Sequence, residues 1–396
     1  MRARLAVAGA LVVGVVATAL LARARVAIVL VVCEALFAAL AALWVSPSWR
    51  AAHPVGTRLA QTVMTVDALG VASAFVSTSV NGNLEAGVSM TIVLLGLSFL
   101  TGSSGQISLG HGAFMGVGAF AAAIWANHHA HSPVVIALLA AVVAGAAVGF
   151  LLGLPATRLR GPYLAGMTLA FAVAFGSILN AFSSWTGGDS GLQLPTAVSA
   201  PRWLVDLLPP SDSPLAAATV WLSQISLVVA GVALFAMSNL FASRVGRSMR
   251  LVRDHDVAAE LAGVSLPRAR VVAFVISAAY AALGGALSTL VNNSVSPATY
   301  GFALSITILA LMVIGGIGTI PGAMIGGLIF AYSTSSISWI TARLGLNPQG
   351  NLASQLNGII FGVLLVGAIV AAPMGIAGAG RQVARRWRER HHLRAD

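Results

Sequence analysis

The chain has 396 residues, of which 58% are apolar and 8% charged; the formal net charge is +11 and the mean hydropathy is +0.91. A soluble domain of this length needs far more polar surface, so these values exclude that class and indicate a polytopic helical membrane protein. All 22 basic residues are Arg, and the absence of Lys excludes a Walker A loop, whose Lys binds nucleotide phosphates.

A series of apolar segments approaches the roughly 20 residues that a helix needs to cross a bilayer. The clearest are residues 5–21, 26–45, 85–100, 134–154, 163–182, 220–241, 271–291, 302–318, 320–339 and 356–372. Lipid offers no hydrogen-bonding partners to the backbone, so each segment is expected to be helical. We therefore predict an all-α polytopic membrane protein with about 10 to 12 transmembrane helical segments.

The N-terminal part of the chain leaves several alternatives open. Residues 61–80 are weakly apolar and contain Asp67, so they form either a span or an external segment. Residues 5–21 are expected to be a span, with a cleaved signal peptide as the alternative. Glu34 and Asp67 are potential intramembrane acids, which would suit proton coupling. Cys33 is the only cysteine, so no internal disulfide is possible.

Two segments break the pattern of simple spans. Residues 101–118 are rich in Gly and Ser, and each Gly costs about 1 kcal/mol in a helix interior relative to Ala. Residues 315–327 are also rich in Gly and contain Pro321. Interrupted helices in both halves of a membrane protein indicate a transport pathway built from inverted repeats. The alternative is close helix packing through small residues.

Polar side chains in and after the first interrupted segment are candidates for a substrate pathway. A zwitterionic solute needs donors for its carboxylate and acceptors for its ammonium group, and broken helices supply both without fixed charge. The candidate pathway residues are Gln106, Ser108, His111, Thr168 and Asn180. No constellation of nucleophile, base or metal ligands converges, so neither an enzyme nor a cofactor is expected.

The central polar segment, residues 244–270, concentrates charge between long apolar stretches. It shares a high density of Arg with residues 158–160 and with the basic tail, residues 376–396. Arg clusters that flank spans mark the cytoplasmic side, and this placement does not suggest nucleic-acid binding. An even number of crossings between successive clusters puts all three in the cytoplasm.

Within this segment, Asp254 is predicted to cap a short helix from His255 to Ala262, with Asp256 in its first turn. Gly263 is expected to end the helix, and Pro267 to prevent its resumption. Such a helix suits docking into a groove on a soluble partner, whereas the alternative is a solvated loop. The candidate coupling residues are Arg250, Arg253, Asp254, Asp256, Glu260 and Gly263.

A second loop, residues 183–215, is expected on the external side. Thr186, Gly187 and Gly188 are the candidates for contact with a solute receptor there, and a plain Gly-rich turn is the alternative. The cluster of His128, His129 and His131 has no carboxylate or Cys nearby, so no metal site is predicted.

Four ordered blocks carry a resemblance to a known family. GLSFLTGSSGQISLGHGAFMGVGAF, from residue 96, resembles the motif of permeases of branched-chain amino-acid ABC importers, which usually have a Gly-Gln-Leu-Ser-Leu-Gly-His core. Residues 159–175 and 186–192 are similar to the next two blocks of the LivM-type subunit. Residues 246–287 are similar to its cytoplasmic loop and following span. The resemblance covers about residues 84–375, which we expect to form a permease domain after N-terminal membrane segments at residues 1–83.

The resemblance implies a transport subunit of the bacterial cytoplasmic membrane. It implies that the central polar segment is a coupling segment for ATP-binding cassette subunits, which hydrolyse ATP on a separate chain. A second homologous permease subunit and a periplasmic or lipoprotein solute-binding receptor are the other implied partners, besides membrane lipid. Two departures, Gly102-Ser103-Ser104 and Asp254-His255-Asp256, leave the solute open among branched-chain amino acids, urea, amides and other small solutes. The alternative function is an autonomous ion-coupled transporter or channel that uses Glu34 or Asp67.

Overall fold

The computed structural model describes residues 78–129, 132–159, 161–194 and 214–343. Two compact units divide the chain. One contains residues 1–81 and 198–239, of which the structure describes the start of the first helix and most of the helix that begins at Pro214. The other contains residues 82–197 and 240–396 and holds the interrupted segments, the central polar segment and the loop after residue 182.

The described part of the chain is helical apart from short connections. In chain order the helices are α1 (Thr78–Ser104), α2 (His111–His128), α3 (Val134–Ala156), α4 (Pro162–Ala181), α5 (Ser183–Thr186), α6 (Pro214–Ala242), α7 (Arg244–Asp254), α8 (Asp256–Leu261), α9 (Leu266–Asn292), α10 (Phe302–Gly315) and α11 (Ile320–Arg343). The only described strands, β1 (Leu192–Gln193) and β2 (Ser294–Val295), pair antiparallel and tie the loop after α5 to the end of α9.

Five described helices are long and apolar enough to cross a membrane: Glu85–Ser104, Val134–Ala156, Pro162–Ala181, Ile225–Ala242 and Leu266–Asn292. Phe302–Gly315 and Ile320–Ala331 are shorter apolar helices. The prediction of an all-α polytopic membrane protein is therefore confirmed. The predictions for residues 5–21, 26–45 and 356–372, and those for Glu34, Asp67 and the basic tail, concern residues outside the described ranges, as do most of residues 61–80.

Helix α9 lies at the centre of the larger unit and packs against α2 and α3 through small residues. A methyl group at Gly118 of α2 would overlap the backbone of Ala282, and one at Gly149 of α3 would press on the Ala278 methyl group. Small residues at helix interfaces let the two backbones approach closely. In lipid the hydrophobic effect does not favour association of helices, so they associate through such close van der Waals packing. This core anchors the elements that form the site.

The central polar segment forms two helices where one was predicted. Ser243, not Asp254, provides an N-terminal cap, since its side chain accepts a hydrogen bond from the Gly246 backbone NH at the start of α7. Asp254 is the last residue of α7 and the N-cap position of α8 is His255, so the predicted capping role of Asp254 is wrong. Asp256 lies in the first turn of α8, as predicted.

The end of α8 confirms one expectation and overturns another. Gly263 has φ +79°, the left-handed conformation that ends helices and that Gly adopts without a steric penalty. Pro267 does not prevent resumption of helix, because it lies in the first turn of α9. Proline is tolerated there because a first-turn NH has no partner within the helix.

Candidate functional site

The first interrupted segment is a break between two helices. Helix α1 ends at Ser104 and α2 begins at His111, and Gly105 between them has φ +69°. The Thr101 hydroxyl donates to the Gln106 carbonyl at 3.2 Å, which folds the chain back after α1. The predicted interruption is therefore confirmed, but the non-helical backbone is confined to residues 105–110, since residues 101–104 and 111–118 are helical.

His111 organises the buried side of this break. Its Nε2 lies 2.7 Å from the Ser277 hydroxyl of α9, and its Nδ1 lies 3.1 Å from the Ser108 hydroxyl. The Ser277 hydroxyl donates its proton to the Gly96 carbonyl at 2.8 Å, so it must accept from His111. Nε2 therefore carries a proton and donates to Ser277. Through Ser277 the imidazole joins α1, α2 and α9.

Thr168 of α4 holds the end of the same break. Its hydroxyl accepts a hydrogen bond from the Leu109 backbone NH at 2.9 Å and donates within α4 to the Ala165 carbonyl, at 3.0 Å. The side chains of Ser108, His111 and Thr168 are buried, at 1%, 0% and 0% exposure. Their hydrogen bonds to protein groups show that they shape the break, and their part in a substrate pathway stays a prediction.

Gln106 differs from these three residues. It is also buried, at 6% exposure, yet neither its amide nitrogen nor its amide oxygen has a hydrogen-bond partner in the part of the chain that the structure describes. A buried amide without partners costs free energy comparable to lost hydrogen bonds. Among the predicted pathway residues that the structure describes, Gln106 thus has an amide donor and an amide acceptor that can bind a solute.

Two helix N-termini meet beside this break. The Gly112 backbone NH, in the first turn of α2, donates to the Ser305 hydroxyl in the first turn of α10, at 3.0 Å. A methyl group at Gly112 would also press on the Gly301 carbonyl. Helix N-termini carry partial positive charge and free NH groups, so this junction favours a negatively charged group.

A cavity of about 630 Å³ lies between α4 and the start of α10. Apolar residues form most of its lining, including Ala172, Val173, Pro297 and Phe302. Two polar side chains join them, Asn180 and Asp189, and the Asn180 amide donates to the Asp189 carboxylate at 2.5 Å. Asn180 is therefore a cavity residue, and its side chain bonds to Asp189 rather than to the network of His111.

The second interrupted segment is also a break, and it touches the first. Helix α10 ends at Gly315 and α11 begins at Ile320, with Gly318 at φ +70° between them. A methyl group at Gly102 would overlap the Cα atom of Gly318, so the two backbones lie in direct contact. Side chains larger than hydrogen at either position would separate the two breaks.

The central polar segment is attached to the membrane helices by Arg270. This residue of α9 is 8% exposed; it forms an ion pair with Asp256 of α8 at 3.0 Å and donates to the Thr157 carbonyl after α3 at 3.2 Å. A small apolar cluster of Val252, Ala259 and Leu266 packs α7, α8 and α9 together. Both contacts fix the orientation of α8.

Helix α8 turns an apolar side outward. Val257 is 70% and Leu261 is 86% exposed, although Ala259 on the opposite side is fully buried. Glu260 and Gly263 are exposed beside them, Arg250 is half-buried in α7, and Arg253 contacts α1 through its guanidinium group. Exposed Val and Leu side chains one helical turn apart are typical of a docking surface.

The loop after α4 is folded on itself. The Thr186 hydroxyl donates to the Leu179 carbonyl at 2.8 Å, and Thr186 and Gly188 are buried while Gly187 is exposed. Gly187 has φ +73° and its Cα faces the Gly191 carbonyl closely. Thr186 and Gly188 therefore shape the loop rather than form its outer surface, and receptor contact stays a prediction.

Two of the three clustered histidines have aromatic partners. His128 stacks on Trp185 with ring centroids 6.0 Å apart, and His129 stacks on Trp125 at 4.4 Å. Among the residues that the structure describes, no group of three or more His, Cys, Asp or Glu could hold a metal ion. His131 lies outside those residues.

Sequence patterns missed several residues that the structure brings into the site. Ser277 and Ser305 are separated from the first break by more than 150 positions, and only the tertiary fold brings them to His111 and Gly112. Asp189 lies in the block at residues 186–192, and its charge was the available signal. Arg270 is the last residue of the central polar segment, and the apolar span that begins at residue 271 was the signal for its burial.

Comparison with known proteins places the chain among transport permeases. The family model described as branched-chain amino acid transport system / permease component matches residues 82–369. The permease protein LivM of the high-affinity branched-chain amino acid transport system of Salmonella typhimurium is 31% identical over 259 residues. That alignment covers 61% of this chain and 60% of LivM, so the chain spans less than two thirds of this relative's length.

Two further relatives show the same relationship. The permease protein LivH of the same system in Salmonella typhimurium is 25% identical over 312 residues, covering 77% of this chain and 96% of LivH. BraD, a high-affinity branched-chain amino acid transport permease protein of Pseudomonas aeruginosa, is 30% identical over 152 residues, covering 38% of this chain and 44% of BraD. No solved structure matches the chain.

Proposed function

The chain belongs to the family of permease components of branched-chain amino acid transport systems, and from this premise we propose that it is the membrane-spanning subunit of an ATP-driven importer in the bacterial cytoplasmic membrane. The proposed cargo is a branched-chain amino acid or a related small polar solute, because the relatives LivM, LivH and BraD are named for branched-chain amino acid transport. ATP hydrolysis takes place on separate subunits, since the chain has no Lys for a Walker A loop.

The observation that carries this proposal is the outward apolar side of α8. Val257 and Leu261 are held there by the ion pair of Asp256 with Arg270, so the helix is both exposed and rigidly attached to the membrane helix α9. When an ATP-binding cassette subunit binds α8 and moves it, α9 therefore moves with it. A merely solvated loop would need neither the buried Arg270 nor exposed aliphatic side chains.

Two further partners are proposed, a second permease subunit and a solute receptor. Similarity to both LivM and LivH supports pairing with a second homologous permease subunit. The folded loop of Thr186, Gly187 and Gly188 and the cavity beside it are proposed to receive the solute from a periplasmic or lipoprotein receptor.

The cavity and the junction of helix N-termini together suit a zwitterionic aliphatic solute. Ala172, Val173 and Phe302 offer an apolar surface, and Asp189 offers a carboxylate for an ammonium group. The first turns of α2 and α10 favour a carboxylate. Gln106 is proposed to contact the solute farther along the pathway, where Ser108, His111 and Thr168 hold the wall in place.

The proposal is tested by uptake of radiolabelled leucine, isoleucine, valine and urea into vesicles. The complex is reconstituted from this chain with the ATPase, second permease and receptor subunits of the same transport system, with ATP or ADP enclosed. We expect uptake of at least one of these solutes with ATP, insensitive to a protonophore and abolished when the ATPase subunits are omitted. Uptake that persists without the ATPase subunits and follows a proton gradient would instead establish the ion-coupled alternative.

A further inference from the structure

Arg253 connects the central polar segment to the interrupted helices. It is the second-last residue of α7, and its Nη1 donates to the carbonyl of Gly102 in α1 at 2.5 Å. Its Nε and Nη2 both lie 2.8 Å from the Asp254 carboxylate. The guanidinium therefore bridges the polar segment and a carbonyl 151 positions earlier in the chain.

The position of the Gly102 carbonyl explains why an Arg is bound there. Helix α1 ends at Ser104, so the last carbonyls of α1 lack partners within the helix. The Leu100 carbonyl is met by the Gln106 backbone NH and the Ser104 hydroxyl, whereas the Gly102 carbonyl receives Arg253. Both α1 and α7 end at this point, and the negative ends of two helices favour a cation.

Gly102 is also the point at which the two breaks touch. Its Cα packs directly against the Cα of Gly318, in the turn between α10 and α11. Gly105, in the first break, adopts φ +69° with the Arg253 side chain against its Cα. One residue of the polar segment thus holds the end of α1, and the end of α1 abuts the second break.

We propose that Arg253 is a positioning residue that couples movement of α7 and α8 to the contact between Gly102 and Gly318, and so opens and closes the pathway at that end. The proposal rests on the proposed function, because it takes a partner that moves α8 as given. Arg is required since its planar fork binds the Asp254 carboxylate and the Gly102 carbonyl at once, whereas the single ammonium of Lys has no such geometry.

The matched control is Arg247. It is exposed, lies on the same helix, and donates through Nη1 to a main-chain carbonyl, that of Ala242, at 2.7 Å. Arg247→Ala therefore removes the same charge and a similar hydrogen bond without touching α1. Arg253→Lys keeps the charge and loses the fork, and Asp254→Ala removes only the group that orients the guanidinium.

The test compares solute transported per ATP hydrolysed in vesicles containing the full complex. We expect a fall of about tenfold or more for Arg253→Ala, an intermediate fall for Arg253→Lys and Asp254→Ala, and the original ratio for Arg247→Ala. ATPase subunits should co-purify equally with all variants, since each variant keeps the exposed Val257 and Leu261 of α8.

A second readout follows the break itself, through labelling of Ser103→Cys by a membrane-impermeant thiol reagent after Cys33→Ala removes the native thiol. Ser103 is 1% exposed. We expect the labelling of Ser103→Cys to depend on nucleotide when Arg253 is present and to lose that dependence in the Arg253→Ala variant.

An unchanged transport ratio and unchanged labelling in Arg253→Ala would overturn the coupling role. If Arg253→Ala does not assemble, the same measurements on Arg253→Lys and Asp254→Ala decide the matter. Uptake independent of ATP in the original protein would refute the proposed function instead.

Discussion

Replacing Arg270 with Met should release α8 from the membrane helices while leaving the fold intact. Met keeps the apolar stem of Arg and removes the guanidinium, which binds Asp256 at 3.0 Å and the Thr157 carbonyl at 3.2 Å. Hydrogen bonds to charged groups contribute about 1.5–3 kcal/mol each. The Asp256 side chain is 34% exposed, so water compensates part of that loss, and we expect a net cost of about 1.5–3 kcal/mol.

The substitution should lower the free energy of local opening of α8 rather than the free energy of global unfolding. Helix α8 spans only Asp256–Leu261, and a helix of this length is not stable without tertiary contacts. Since 1.4 kcal/mol corresponds to a factor of ten, hydrogen exchange in residues 255–263 should accelerate by about 10- to 100-fold. Exchange in the buried middle of α9, residues 275–290, should stay unchanged.

Hydrogen exchange followed by mass spectrometry, on the protein in lipid nanodiscs, measures both segments together. Asp256→Asn is the matched variant, because it keeps an acceptor oxygen and loses the charge. A double-mutant cycle of Arg270→Met with Asp256→Asn should give a coupling free energy of about 1–3 kcal/mol. Unchanged exchange in residues 255–263 for Arg270→Met, or strict additivity in the cycle, would refute the attachment of α8 through Arg270.

Two further predictions concern docking and packing. Leu261→Asp should reduce co-purification of the ATPase subunits at least tenfold, because it places a charge on the proposed docking surface. Membrane insertion should be unchanged, because an 86% exposed side chain contributes little to folding. Unchanged co-purification would show that α8 does not dock. Gly118→Ala should lower the midpoint of thermal unfolding in detergent, because the new methyl group overlaps the Ala282 backbone at a cost of about 1–3 kcal/mol. Gly166→Ala should leave that midpoint unchanged or raise it, because a Cβ atom at Gly166 has no neighbouring atom within 4 Å and Ala favours helix over Gly. Equal midpoints for the two variants would contradict the packing of α2 on α9.

The interrupted segments show how far sequence patterns reach. Gly disfavours helix through local backbone physics, which predicted interruptions within residues 101–118 and 315–327. The non-helical backbone is confined to residues 105–110 and 316–319, and Pro321 lies in the first turn of α11. The contact of Gly102 with Gly318 was not, because it joins residues more than 200 positions apart through backbone atoms that every residue possesses. No pattern within either segment encodes that contact.

The central polar segment shows why local rules also fail. Asp254 had the right residue type for a cap, but α7 continues to that position because Met249 and Val252 are buried on one side of it. Tertiary burial of an apolar stripe thus outweighed a local capping preference worth about 1 kcal/mol. Ser243, which does cap α7, followed the same local rule at the true start of the helix.

Composition and periodicity by themselves determined that this protein is an all-α polytopic membrane protein with interrupted helices and a charged central segment, because hydropathy, Gly content and charge act locally along the chain. Only the tertiary structure decided that His111 bonds to Ser277, that Arg270 holds α8, and that Arg253 reaches the end of α1. Those contacts depend on how the helices pack, and packing selects among many partners that local sequence leaves equivalent.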